Sequence, residues 1–367
     1  MKEIWIIIFC IAIVGGYSKA LKANGVLDPV LSSKQTEETP PEAKKGNKWK
    51  RKAPNVYGYM QVHFRHAFET GSDGVVDNSN FRVQRVRIGV KGDVLPWVSY
   101  EVDMDPRAPQ LQTLLRDAFI GLKVIPNHEI RIGQQKTQFG YENTVSSSRL
   151  FAVNRTEISD NLSRGKNLRD IGVGLLGNIP LSNSFRIEDA ITIVNGAGMN
   201  VQDDDSPQKN VLGRCGIRYK RNNSWLRFGI SGGTGSYVDE GDDILDPSDD
   251  FALKFQRLGT DIEIDHKWIF LSTEYVYGID KAQGEEDDIS GYYINLVGKT
   301  HWHVGPIVRL DSLADEYLRW TFGAYYGDAK DRFRLLLNYE FRKTMEDPSG
   351  HIGRGDDKLY LWTQVKF

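Results

Sequence analysis

The chain has 367 residues, enough for one large domain or two ordinary ones, and a formal net charge of −2, which excludes a polyanion-seeking surface and a nucleic-acid partner. Glycine at 36 residues and aromatics at 11% accompany a negative mean hydropathy. That balance describes many short, glycine-punctuated strands and excludes a bundle of membrane helices.

The first element is the one long apolar run. Met1-Lys2-Glu3, Ile4 to Gly16 and Tyr17-Ser18-Lys19-Ala20 give a charged start, an apolar middle and a small-residue exit, the pattern of a cleaved signal peptide over residues 1–20. A single-span anchor needs about 20 apolar residues, and this run is shorter. Cys10 follows Phe9 inside the apolar stretch, which argues against a lipid attachment site. Cleavage leaves Cys215 as the sole cysteine, so neither an intrachain disulfide nor a cysteine-based metal site is expected. Residues 21–54 scatter Pro29, Pro40, Pro41 and Pro54 among Lys, Glu, Ser and Thr with no helical or strand period, and read as a flexible Pro/Lys-rich linker.

From Val56 the pattern becomes alternating segments of about ten residues separated by Gly, Asp, Asn, Ser and Pro. Strands are expected at 57–66, 81–92, 97–105, 115–124, 129–137, 169–177, 186–194 and 211–220. A second set is expected at 225–233, 252–264, 267–278, 289–299, 302–310, 318–327, 332–342 and 358–367. The last strand alternates most cleanly, with Leu359, Leu361, Thr363, Val365 and Phe367 against Lys358, Tyr360, Trp362, Gln364 and Lys366. One face is apolar and the other polar, strand after strand. Open sheets in lipid leave backbone groups unpaired at several kcal/mol each, so spanning strands must close. The fold expected for residues 55–367 is therefore an all-β transmembrane antiparallel β-barrel of about 16 strands, the size that encloses an aqueous channel.

Connections such as Asn222-Asn223 and Val124 to His128 are tight, whereas Val238 to Asp250 and Ala282 to Asp288 are long and acidic. The acidic runs Asp203-Asp204-Asp205, Asp239 to Asp250 and Glu285 to Asp288 lack the spaced ligands of an EF-hand and read as solvated loops. The longest gap, from Gln138 to Leu168, is too long for a passive turn and is expected to fold into the lumen as a constriction. Tyr57, Trp97, Tyr292, Tyr293, Trp320, Tyr325 and Trp362 are candidates for an interfacial girdle.

Arg82 to Gly92, Asp117 to Ile120 and Ile130 to Glu142 resemble segments of the phosphate-selective porin O and P family. Ser146-Ser147-Ser148, Asn154-Arg155-Thr156 and Arg169 to Val173 continue the resemblance in order, and the terminal Phe367 resembles the insertion signal of outer-membrane barrels. The resemblance implies a sixteen-stranded porin with an inward-folded loop and a basic lumen, usually a homotrimer, in the bacterial outer membrane. Its implied partners are small anions such as phosphate, outer-membrane lipid, and the barrel-assembly machinery through Phe367.

Opposite the apolar faces, alternation points a basic set into the lumen. The expected substrate path is Arg65, Arg85, Arg87, Lys91, Arg131, Arg218, Arg227, Arg319 and Arg334, with Arg149 and Arg155 in the constriction loop. Arginine suits the task because its guanidinium stays charged and its planar fork matches oxyanions. The competing role is bracing, since Glu101, Asp103, Asp105 and Asp117 turn inward by the same alternation. A general or cation-tolerant porin, or a non-conducting surface or binding barrel, would use the same fold. Enzymatic chemistry is not expected: no nucleophile motif accompanies His266, His301 or His303, and the His301/His303 pair, placed on one strand face, supplies too few ligands for zinc. No cofactor or metal is expected.

Overall fold

The computed structural model describes residues 53–367 apart from 69–77, 108–113, 163–168, 203–207, 240–250, 283, 315–316, 328–331 and 345–356. The signal-peptide expectation (1–20), nearly all of the linker expectation (21–54), and the acidic runs at 203–205 and 240–250 lie outside these residues.

The first half of the sheet comprises β1 (Asn55–Phe68), β2 (Asn78–Leu95), β3 (Val98–Met104), β4 (Leu115–Ile125), β5 (His128–Lys136), β6 (Arg169–Pro180), β7 (Phe185–Val194) and β8 (Asn210–Arg221). The second half comprises β9 (Ser224–Asp239), β10 (Phe251–Asp265), β11 (Ile269–Ala282), β12 (Glu285–Gly298), β13 (Val304–Leu313), β14 (Tyr317–Gly327), β15 (Phe333–Thr344) and β16 (Asp357–Lys366). Each pairs antiparallel with its sequence neighbours, and β1 pairs with β16, so these sixteen described strands form a closed barrel. The seam runs from Tyr59 opposite Lys366 to Phe68 opposite Asp357 and ends in two backbone hydrogen bonds of 3.0 Å between Gly58 and Phe367. Gly58 is required there, because a methyl group would strike the Phe367 ring and the Arg87 carbonyl.

Alternation sets the two faces. On β11, Ser272, Glu274 and Val276 are buried inward while Tyr275 and Tyr277 are exposed outward. Exposed Ile88, Ile120, Ile132, Ile217, Phe228 and Leu258 continue the apolar exterior around the wall, the arrangement a lipid-embedded barrel needs. Turns on the side of the chain termini are short. Asn127 and Asn222 occupy left-handed backbone there (φ 62° and 54°), as tight hairpins demand.

Three expectations change. Glu285 to Asp288 are the opening of β12 rather than loop, with Glu286 opposite Lys281 and Asp287 opposite Asp280. Strand pairing needs only backbone groups, so a hairpin continuing past the lipid carries acidic side chains without breaking. His301 and His303 fall in the β12–β13 turn instead of on a strand. Of the girdle candidates, Tyr57, Tyr293, Tyr325 and Trp362 face inward: Tyr293 and Trp362 are buried, Tyr325 packs on Phe151, and Tyr57 donates to Glu101 at 2.6 Å. Exposed Trp97, Trp268 and Trp302 sit in turns at the short-turn end and supply that rim.

Candidate functional site

The segment after β5 enters the barrel, as its length suggested. It forms a helical turn α1 (Tyr141–Thr144), a 3-10 turn (Ser147–Arg149) and a π turn (Ile158–Leu162). Phe139, Ile158 and Leu162 bury against Leu212, Phe255, Val276, Tyr293 and Leu313, and Val153 against Val297, Ile307, Leu336 and Trp362. Burial is worth about 1.5–3 kcal/mol for each large apolar side chain. Gly291 leaves the space that Ile158 fills.

Polar wall groups then hold the loop backbone strand by strand. Ser231 Oγ accepts from Gly140 N at 3.0 Å, and Asn338 Oδ1 accepts from Val153 N at 3.0 Å. Arg309 donates to the Asn154 carbonyl at 2.7 Å, Arg319 to that of Arg155 at 2.8 Å, and Arg334 to that of Ser148 at 2.9 Å. Tyr141 lies under the Arg227 guanidinium, and burial together with the Glu263 carboxylate pushes its phenol well above the ordinary range. The loop therefore lines the inner side of β7 to β16 and leaves open the side of β2 and β4.

What it leaves is a basic cavity of about 440 Å³ between loop and wall. Seven cations line it: Arg85, Arg87, Arg116, Arg155, Arg319, Arg342 and Lys358. Three carboxylates, Glu157, Asp160 and Glu340, share the lining with Gln84, Ser147, Asn154 and Tyr360. Arg85 donates to the neutral Gln61 at 2.9 Å and feels the Asp160 carboxylate at longer range. Arg87 is held by Asp103 at 3.1 Å and Asp105 at 3.6 Å. Arg155 donates to the carbonyls of Glu142 and Val145 and to Ser147 Oγ.

The eleven sequence-predicted residues separate clearly. Arg85, Arg87, Arg155 and Arg319 meet at the cavity. Arg319 is also tied to Asp311 at 3.0 Å and Glu157 at 3.5 Å, which makes it as much a strut as a lining group. Arg334 is 2% exposed, with the loop at Ser148 and the Phe151 ring against its guanidinium, and is a strut outside the path. Arg149 does not reach the cavity; it lines a separate space of about 30 Å³ beside Phe151, Tyr293 and Arg309. Arg131 pairs with Glu129 at 2.7 Å, Arg218 with Glu188 at 3.3 Å, and Arg227 with Glu188 at 3.0 Å and with Glu263. Lys91 lies over the Tyr57 ring, and Arg65 is half-buried on β1 away from the cavity.

Alternation missed Gln84 and Arg116 as lining residues for one physical reason. The β1–β2 register jumps from Gln61/Arg85 to Val62/Val83, and the β3–β4 register from Asp103/Asp117 to Met104/Leu115. Gln84 and Arg116 are the extra residues at these irregularities, where a bulge re-aims a side chain that strict alternation would send outward.

The family model described as Phosphate-selective porin O and P matches residues 55–185. No curated protein sequence matches the chain. Among solved structures, the anion-selective porin from Comamonas acidovorans superposes with a TM-score of 0.56 at 11% identity, covering 86% of this chain and 99% of that one. The outer-membrane channel DcaP of Acinetobacter baumannii gives 0.55 at 12% identity, with 86% and 97% covered. OmpT of Vibrio cholerae, in its trimer form, gives 0.52 at 12% identity, with 86% and 100% covered. At these identities the likeness is one of fold. The family match is a likeness of sequence, and it spans the segment that brings Arg85, Arg87, Arg116 and Arg155 to the cavity: residues 55–185 are similar to the phosphate-selective porin O and P family, and the closed sixteen-stranded barrel has the fold of outer-membrane porins.

Proposed function

We propose that this barrel is an outer-membrane porin that passes small anions, phosphate among them, by diffusion through the basic cavity between the loop and β2, β4 and β14 to β16. The observation that carries the reading is the lining itself: seven cations against three carboxylates, with Arg85 bonded to the neutral Gln61. In a narrow space with low-dielectric walls, an uncompensated excess of one sign focuses the field and enriches the opposite ion. Guanidinium groups kept partly hydrated bind an oxyanion weakly enough to release it to the next site. The family description supports the same choice of cargo.

The test is the zero-current potential of the purified porin in a planar bilayer under a potassium chloride gradient, repeated with phosphate added. A potential of anion-selective sign with phosphate-dependent block of chloride current is expected. A cation-selective or zero potential would overturn the reading. In the same proposal residues 1–20 are a cleaved signal peptide, 21–54 a linker and 55–367 the barrel. Phe367, 64% exposed at the seam, is left available to the assembly machinery, and the working unit is a homotrimer in outer-membrane lipid.

A further inference from the structure

We propose that Glu274, on the wall opposite the open side of the barrel, is the positioning residue of the constriction. The inference rests on the reading of the basic cavity as the selectivity site. Glu274 is 2% exposed on β11, and its two carboxylate oxygens accept the backbone N–H groups of Tyr141 at 3.1 Å and Glu142 at 3.2 Å. Glu142, itself 6% exposed, passes the constraint on: its Oε2 accepts from Thr156 N at 2.9 Å and from Thr156 Oγ1 at 2.8 Å. Thr156 stands between Arg155 and Glu157, two residues that line the cavity.

The far end of the same turn is fixed as well. Lys136 Nζ donates to the carbonyls of Asn143, Thr144 and Val145 at 3.1, 3.4 and 2.9 Å. The turn α1 is thus held by the Glu274 carboxyl oxygens at its first N–H groups and by the Lys136 amine at its last carbonyls. Arg155 reaches the cavity by donating to the Glu142 and Val145 carbonyls of this fixed turn. Two carboxylates in series therefore connect the wall to the arginine that faces the solute. Neither touches the solute path; they act through Arg155.

The experiment compares single-channel steps and zero-current potential for the native porin, Glu274→Ala, Glu274→Gln and Thr156→Val. Removing both acceptor oxygens leaves two buried N–H groups unsatisfied, so Glu274→Ala is expected to raise the frequency of altered conductance levels by about tenfold. The potential of Glu274→Ala is expected to move toward zero as Arg155 leaves its place. Glu274→Gln, which keeps one acceptor oxygen, is expected to recover part of both, and Thr156→Val to shift both in the same direction by less. A merely structural role would change the yield of folded barrel without moving the potential. Native steps and potential in Glu274→Ala and Thr156→Val would overturn the proposal. Should Glu274→Ala fail to assemble, Thr156→Val and Glu274→Gln decide it, and unaltered values in both would overturn it. A native porin without anion preference would overturn the selectivity reading, while the conductance steps would still decide whether Glu274 holds the loop.

Discussion

Two stretches of the lumen wall carry arginines at similar density and do opposite things with them. On β8 to β11, Arg214 faces Asp261 at 2.5 Å, Arg257 faces Asp280 at 2.6 Å, and Arg218 and Arg227 share Glu188. On β2 and β4, Arg87 keeps Asp103 at 3.1 Å, but Arg85 donates to the neutral Gln61 and Arg116 reaches Asp105 at no closer than 3.9 Å. The difference lies in the partner within reach, not in the arginine. Where a carboxylate lies within reach the guanidinium braces the wall; where an amide is the closest partner, as at Arg85, the charge is less compensated and, in the function proposed, serves the solute.

That comparison can be broken from the braced side first. Asp261→Ala leaves Arg214 buried and unpaired, which is expected to cost about 3–5 kcal/mol. The loss would appear as a lower midpoint for unfolding in urea, with the zero-current potential unchanged. From the other side, Arg85→Glu places a carboxylate where the field is least compensated. A change in the anion-to-cation permeability ratio of about tenfold is expected, equivalent to roughly 1.4 kcal/mol, with little loss of stability. If Arg85→Glu destabilised the barrel and left permeability alone, the two regions would not differ in the way their partners indicate.

The sequence was most informative where a single periodicity governs many residues. Sixteen segments expected from alternation correspond to the sixteen strands observed, most with ends within about two residues, because every spanning strand must present one apolar face to lipid. Inward placement of Arg85, Arg87, Arg218 and Arg227 followed from the same rule. It gave way at Gln84 and Arg116, where an extra residue resets the register. It also could not distinguish Arg334 from Arg85, since both point inward and only the path of the infolded loop decides which one is covered. Glu142 and Glu274 left no trace in the pattern: two acids 132 positions apart are neighbours only because the loop crosses the barrel to β11.

Smaller effects sharpen the boundary between the two regions. Glu188 lies between Arg218 and Arg227, so Glu188→Ala frees Arg218 while Arg227 keeps Glu263. This variant converts part of the braced wall toward the open kind. The anion preference measured by zero-current potential is expected to rise about threefold, with the gain lost in concentrated salt as screening shortens the reach of the charge.

The smallest change is expected at Lys91, which alternation placed in the solute path. Lys91 is exposed near the short-turn end, sits over the Tyr57 ring at 4.8 Å, and lies opposite Glu101 in the β2–β3 register. The Tyr57 hydroxyl donates to that same Glu101, so an acid already faces the ammonium across the strand pair. An exposed charge with a carboxylate close by and water around it contributes little to the field at a distance. Lys91→Gln is therefore expected to alter the permeability ratio by less than about twofold, measured as for Arg85→Glu. A change as large as that of Arg85→Glu would place the selective step at the short-turn mouth and not at the loop, since an inward-facing cation would then matter whether or not the cavity surrounds it.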